Sequence, residues 1–128
     1  VTTPPISEHI TFLFVEDLEA SHHFYAEVLG LPMALDQGSC RIYRVAGSAY
    51  LGVCERPGRV SPEGIIVTVV SPDVDEWHAR LTGYEVPVEE EPQLFEAYKV
   101  YHAFYRDPDG YLIEIQEFRD ERWDPTTD

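Results

Sequence analysis

The chain is built twice, and that repetition limits its architecture more than any other feature. After a polar, Pro-containing lead, "HITFLFV" (9–15) has the composition of a strand. His9, Thr11, Leu13 and Val15 project to one side of it, and Ile10, Phe12 and Phe14 to the other, which reads as the packing face. "EDLEASHHFYAEVLGL" then changes period. Asp17 can cap a helix, Leu18, Phe24, Tyr25, Val28 and Leu29 form its apolar stripe, and Gly30 ends it before Pro32. Short strands follow at 33–36, 41–45 and 49–54, punctuated by "DQGS" and "AGS". "RPGRVSPEG" supplies a Pro- and Gly-rich linker, taken as 56–63, and the pattern restarts. "IIVTVV" (65–70) is a strand, and Asp73 with Glu76 offers a capping box. Val74, Trp77, His78 and Leu81 face one way on a helix ending at Gly83, and strands are expected at 86–89, 97–106 and 111–117. Each half reads β, α, β, β, β, giving repeats at 8–55 and 64–118 and a tail at 119–128, within a single domain spanning 1–128.

The halves also align residue by residue. "DLE" at 17–19 lies over "DVD" at 73–75, which places His9 over Ile65; "LGVCE" at 51–55 lies over "IEIQE" at 113–117, which places Gly52 over Glu114. Glu114 stands out. It follows the "DPDG" turn between Ile113 and Ile115, in a segment that otherwise reads as buried. An isolated ionised carboxylate among aliphatics is costly unless a cation or hydrogen-bond donors meet it.

Charge narrows the partners. Nine Lys and Arg against 24 Asp and Glu give a formal net charge of -15, which repels nucleic acid and anionic membrane. No apolar run approaches the roughly 20 residues of a spanning helix, and a cytoplasmic protein is the expectation. Cys40 and Cys54 fit neither a disulfide framework nor a paired zinc motif and read as two reduced, buried thiols. His22 and His23 point about 100° apart on a helix and read as surface or helix-packing residues. "EEEP" (89–92) reads as a solvated loop, and Trp123 either docks across a subunit or lies on the surface.

A duplicated βαβββ unit with "HITFLFVEDLEASHHFYAEVLGL" in the first half and "FYRDPDGYLIEI" in the second resembles the vicinal oxygen chelate superfamily, which contains glyoxalase I, bleomycin resistance proteins and extradiol dioxygenases. The resemblance implies an α+β fold in which tandem βαβββ units form an open cup-shaped mixed sheet with helices outside, and a homodimer. It also implies that the first and last strands of each unit supply metal ligands. The four slots fall on His9, Gly52, Ile65 and Glu114, so only His9 and Glu114 can ligate. Glu114 becomes the candidate catalytic and metal carboxylate. His102 is a candidate third ligand if the parity of its strand turns it inward; His9, His102 and Glu114 would then be a two-His, one-carboxylate set of the kind that suits Fe(II). The cofactor implied is a divalent metal (Fe, Mn, Ni or Zn), or none, as in members that only bind a ligand.

The remaining expected lining is Thr11, Leu13, Tyr50, Gly52, Cys54, Ile65, Val67, Leu112 and Gln116, mainly apolar with a few polar handles, which suits a small organic molecule. Tyr50 reads as a packed tyrosine or as a phenol for hydrogen bonding. No neighbouring His or Lys is evident to activate Cys54 as a nucleophile. Two functions compete: a metal-dependent lyase, isomerase or dioxygenase, and a metal-free binder of a small molecule or drug.

Overall fold

Strand β1 (His9–Val15) leads into helix α1 (Leu18–His22), whose Asp17 cap accepts from the backbone N–H groups of Glu19 and Ala20. The computed structural model describes residues 2–124 and divides between Ser61 and Pro62 into two units. In the first, α1 widens at His23–Val28 into a π-helical segment that buries Phe24, Tyr25 and Val28. β2 (Met33–Asp36), β3 (Cys40–Ala46) and β4 (Ala49–Glu55) complete an open mixed sheet of order β1-β4-β3-β2, with β1 parallel to β4. The second unit repeats the plan: β5 (Ile66–Val70), helix α2 (Val74–Gly83), β6 (Val88–Phe95), β7 (Val100–Arg106) and β8 (Leu112–Phe118), in the order β5-β8-β7-β6 with β5 parallel to β8. This is the α+β architecture expected from the repeat. The tail continues to residue 124; the end of the expected 119–128 segment lies outside the described residues.

Both helices fasten to their sheets through the same pair of residues. His22 Nδ1 lies 2.7 Å from the Tyr43 hydroxyl, and His78 Nδ1 lies 2.7 Å from the Tyr105 hydroxyl. These are equivalent positions in the two repeats. His78 Nε2 stands 2.9 Å from Glu91 Oε2, so the ring donates there and its Nδ1 accepts from the phenol. Burial pushes the Tyr105 phenol up to about 12, with Glu91 and Asp75 adding to the effect, and burial also raises Tyr43. His22 is thus a helix-packing residue, whereas exposed His23 pairs with Glu27 at 2.7 Å.

Several expectations are corrected. "EEEP" is part of β6, an edge strand, and the pairing register shifts between Glu90 and Gln93, which accommodates Pro92 where no ladder donor is needed. The Asp73 side chain makes no cap hydrogen bond, so the capping box does not form; Ser71 Oγ instead accepts from the Asp73 N–H. Trp123, by contrast, lies on the surface as one of its two readings had it, half exposed and stacked on Phe118 with ring centroids 4.2 Å apart.

The faces of β1 are also reversed. Leu13 and Val15 are buried, while Ile10, Phe12 and Phe14 are exposed. Parallel pairing explains this: Leu13 stands beside Val53, which is fully buried, and Phe12 beside Gly52. Cys40 and Cys54 face each other directly across β3 and β4, Cα atoms 4.1 Å apart, and their sulfurs are bonded. The reduced-thiol expectation is therefore wrong. Antiparallel register brings together two cysteines that are 14 residues apart in sequence.

Candidate functional site

Alternation along β8 settles where Glu114 points. Ile113 and Ile115 are fully buried in the core of the second unit, which turns Leu112, Glu114 and Gln116 to the opposite face. On β7, Ala103 and Tyr105 are fully buried in that core, so His102 and Phe104 share the face of Glu114. His102 lies opposite Gln116, and Phe104 opposite Glu114. On β5, Thr68 stands beside Glu114 and Ile66 beside Leu112.

The Glu114 carboxylate is the hub. Its Oε1 accepts from Thr68 Oγ1 at 2.8 Å, and its Oε2 accepts from His102 Nδ1 at 2.6 Å and from Gln116 Nε2 at 2.7 Å. Three strands each send one donor. His102 and Glu114 are each only 7% exposed, so the pair works in a partly desolvated setting where such hydrogen bonds are strong. The Phe95 ring stacks on the imidazole at 5.9 Å and 14°, and Phe104 meets it edge-on at 4.7 Å. Beside this dyad lies a cavity of about 420 Å³ within the second unit, lined by Ile66, Glu90, Phe95, Tyr98, Val100, His102, Phe104, Glu114 and Gln116. Aromatic walls with a few convergent polar groups suit a small organic ligand.

The first unit carries no equivalent. At the repeat positions of Thr68, His102, Glu114 and Gln116 stand Phe12, Cys40, Gly52 and Cys54. A β-carbon on Gly52 would lie 2.4 Å from two carbons of the Phe12 ring, so that ring occupies the space a side chain at position 52 would fill. The disulfide replaces the His102 and Gln116 pair. One repeat thus has a polar dyad where the other has an aromatic ring and a covalent staple.

Against this geometry, the sequence-derived residues divide. Glu114, His102 and Gln116 line the cavity, and Leu112 shares their strand face. Val67 pairs with Ile113 and takes the opposite face, and exposed Ile65 precedes β5; the face sequence on this strand is Ile66, Thr68, Val70. Thr11 and Leu13 lie on the core side of β1, not on the face of Gly52, for the parity reason given above. The Tyr50 hydroxyl accepts from Arg44 at 3.0 Å and donates to Glu8 at 3.2 Å. Cys54 is a disulfide partner rather than a thiol. Thr68, Phe95, Tyr98, Val100 and Phe104 were missed, as were Ile66 and Glu90. Period-two alternation from His102 would have found Val100 and Phe104, and the internal repeat offered no signal for the others.

The metal reading is tested by the donors themselves. A catalytic divalent ion usually takes three protein ligands. Among the described residues, no three His, Cys, Asp or Glu side chains converge to hold one. His9 is exposed and bonds Thr11 Oγ1 at 3.0 Å, while His102 and Glu114 are bonded to each other. Within the second unit, His102 and Glu114 are two donors where such an ion usually takes three.

A family model described as the glyoxalase/bleomycin resistance protein/dioxygenase superfamily matches residues 6–115. No curated protein sequence matches significantly. Among solved structures, the chain is similar to a lactoylglutathione lyase from Agrobacterium tumefaciens, with 26% identity, a TM-score of 0.75, and coverage of 94% of this chain and 100% of that one. It is also similar in fold to a glyoxalase/bleomycin resistance protein/dioxygenase from Alicyclobacillus acidocaldarius (18% identity, TM-score 0.73, coverage 94% and 98%). A glyoxalase/dioxygenase from Nostoc punctiforme has a similar fold (17% identity, TM-score 0.72, coverage 94% and 99%). With its two βαβββ units and this family match over most of its length, the chain belongs to the glyoxalase/bleomycin resistance protein/dioxygenase superfamily.

Proposed function

We propose that the protein binds a small, planar organic molecule in the second-unit cavity, and that Glu114 is served there by protein donors rather than by a metal. The observation that carries this reading is the set of three hydrogen bonds that the Glu114 carboxylate accepts from Thr68, His102 and Gln116. A charge already met by three donors has no need of a cation. Phe95 and Phe104 supply flat apolar surface for the ligand, and Glu90 with Glu114 disfavours an anion. Among the described residues, no helix is long and apolar enough to cross a membrane, and the net charge of -15 argues against nucleic acid as the partner.

A metal-dependent lyase, isomerase or dioxygenase is the second reading, supported by the likeness to the lactoylglutathione lyase and by the frequent use of divalent metals in this superfamily. One experiment separates the two. Wild type and Glu114→Ala are incubated with Fe(II), Mn(II), Ni(II) and Zn(II), freed of excess and analysed by elemental mass spectrometry, beside saturation-transfer NMR of neutral bicyclic aromatics with and without EDTA. Ligand binding that survives EDTA, with no stoichiometric metal, is expected. Near one equivalent of metal in the wild type, lost in Glu114→Ala, would move the assignment to the metalloenzyme. The homodimer implied by the family is checked in the same samples by light scattering.

A further inference from the structure

The Glu114 side of His102 is occupied, but its other side is not. Nδ1 is held by the carboxylate, whereas Nε2 has no hydrogen bond to any described residue. Among the described residues, the only fully enclosed side-chain nitrogen or oxygen without a hydrogen-bond partner is Arg41 Nε, so His102 Nε2 is not sealed off, and its ring lines the cavity. An ionised carboxylate can only accept, so the Nδ1 that it meets carries a proton, and in the neutral imidazole Nε2 then carries the lone pair. Thr68 and Gln116 hold both carboxylate oxygens in place, and the stacked Phe95 fixes the plane of the ring. An imidazole so oriented is a base prepared before any ligand arrives.

We infer that His102 and Glu114 form a metal-independent proton-transfer dyad acting on a neutral, planar carbon acid whose C–H bond is activated by both a carbonyl and an aromatic ring. The inference rests on the ligand-binding reading above. His102 Nε2 takes the proton and the C–H electron pair moves into the carbonyl to give an enolate. The imidazolium is stabilised through Nδ1–H by Glu114, and the same proton returns from Nε2 to the enolate oxygen or carbon. The sum is an isomerisation with no oxidant, reductant or second substrate. The lining also selects the substrate class. It contains no Lys or Arg to stabilise an enolate, so the carbon acid must bring its own activation, and Glu90 and Glu114 turn anions away. His102 is the catalytic residue and Glu114 its positioning residue.

The test follows hydrogen–deuterium exchange of the methylene protons of indan-2-one in D2O by proton NMR, with EDTA present and saturation-transfer NMR reporting binding. Wild type should accelerate exchange at least about 100-fold over the same concentration of His102→Gln, the lower range of general-base catalysis. Glu114→Gln should lower the saturating rate about 10-fold or more while leaving the half-saturating indan-2-one concentration within about twofold, a split that mere loosening of the fold would not produce. Circular dichroism checks folding, and His102→Gln carries the test if Glu114→Gln does not fold. Bound indan-2-one that exchanges equally fast in wild type and His102→Gln overturns the dyad and spares the binding reading for this probe. No binding to the wild type overturns both, and a rate that depends on withholding EDTA overturns the metal-independent step.

Discussion

Replacing Glu114 measures how much of its role is charge and how much is hydrogen bonding. In Glu114→Gln the amide oxygen can take the Oε2 position and keep both His102 Nδ1 and Gln116 Nε2, while the new NH2 meets the Thr68 hydroxyl, which can rotate to accept. What is lost is charge assistance. A hydrogen bond to a charged group contributes about 1.5–3 kcal/mol and a neutral one about 0.5–1.5, so two retained bonds imply a loss of roughly 2 kcal/mol. Glu114→Ala keeps none of the three. Thr68 is exposed and recovers water, but His102 Nδ1 is left buried without a partner, and a gap opens between Phe104 and Gln116. The sum is about 3–5 kcal/mol, from the lost charged bonds and the stranded donor. For a chain of this length each kcal/mol corresponds to roughly 3–5 °C in melting temperature. Urea unfolding at pH 7 in EDTA should rank wild type above Glu114→Gln above Glu114→Ala, with unchanged m-values. The double variant His102→Phe with Glu114→Leu should recover most of the loss, because both members of the pair go together. Indistinguishable Gln and Ala variants, or an Ala variant within about 0.5 kcal/mol of wild type, would refute the shared-acceptor account. A wild type destabilised by EDTA itself would show that a cation, not these donors, meets the carboxylate.

Three further outcomes test the rest of the molecule. Reducing the Cys40–Cys54 bond, which closes a separation of 14 residues, should lower stability by about 3 kcal/mol in denaturant titrations, and the native protein should resist thiol alkylation by intact mass. Gly52→Ala should cost about 1–3 kcal/mol because its β-carbon meets the Phe12 ring, and Phe12→Leu in the same chain should restore much of it; additive single effects in that cycle would show that ring and glycine do not interact. The raised Tyr105 phenol makes stability pH-dependent at the alkaline end. Its contribution is complete below the ordinary value of 10.0 and is lost as pH rises to about 12, since the folded state holds the proton that the unfolded chain gives up. Tyr105→Phe should flatten that part of a stability-against-pH curve, with the residual slope coming from Tyr43, also raised by burial, and from Tyr101, raised by its hydrogen bond to Asp75.

Much of this architecture is readable in the sequence because its signals are local. The change of period from "HITFLFV" to "EDLEASHHFYAEVLGL", the Asp17 cap and the repeated order of elements depend on neighbours within a few residues. The face of Glu114 is readable for the same reason, since Ile113 and Ile115 on either side leave it one direction to point. Other features were not. Ile10, Phe12 and Phe14 are as apolar as Leu13 and Val15, so alternation alone cannot say which side of β1 is buried; the pairing of Leu13 with Val53 decides it. That one-residue error in parity carried over to Ile65 and Val67 in the second repeat and hid Thr68. "EEEP" looked like a loop because its charges and Pro92 disfavour a central strand, yet an edge strand with a shifted register tolerates both. The Cys40–Cys54 bond and the meeting of His102 with Glu114 depend on antiparallel register across β3–β4 and β7–β8. By itself, the sequence determined which residues alternate, where helices begin and that the plan is duplicated. Only the tertiary structure decided which partners those residues meet, because strand register comes from backbone pairing between segments distant in sequence, and shifting it by one residue turns every side chain to the other face.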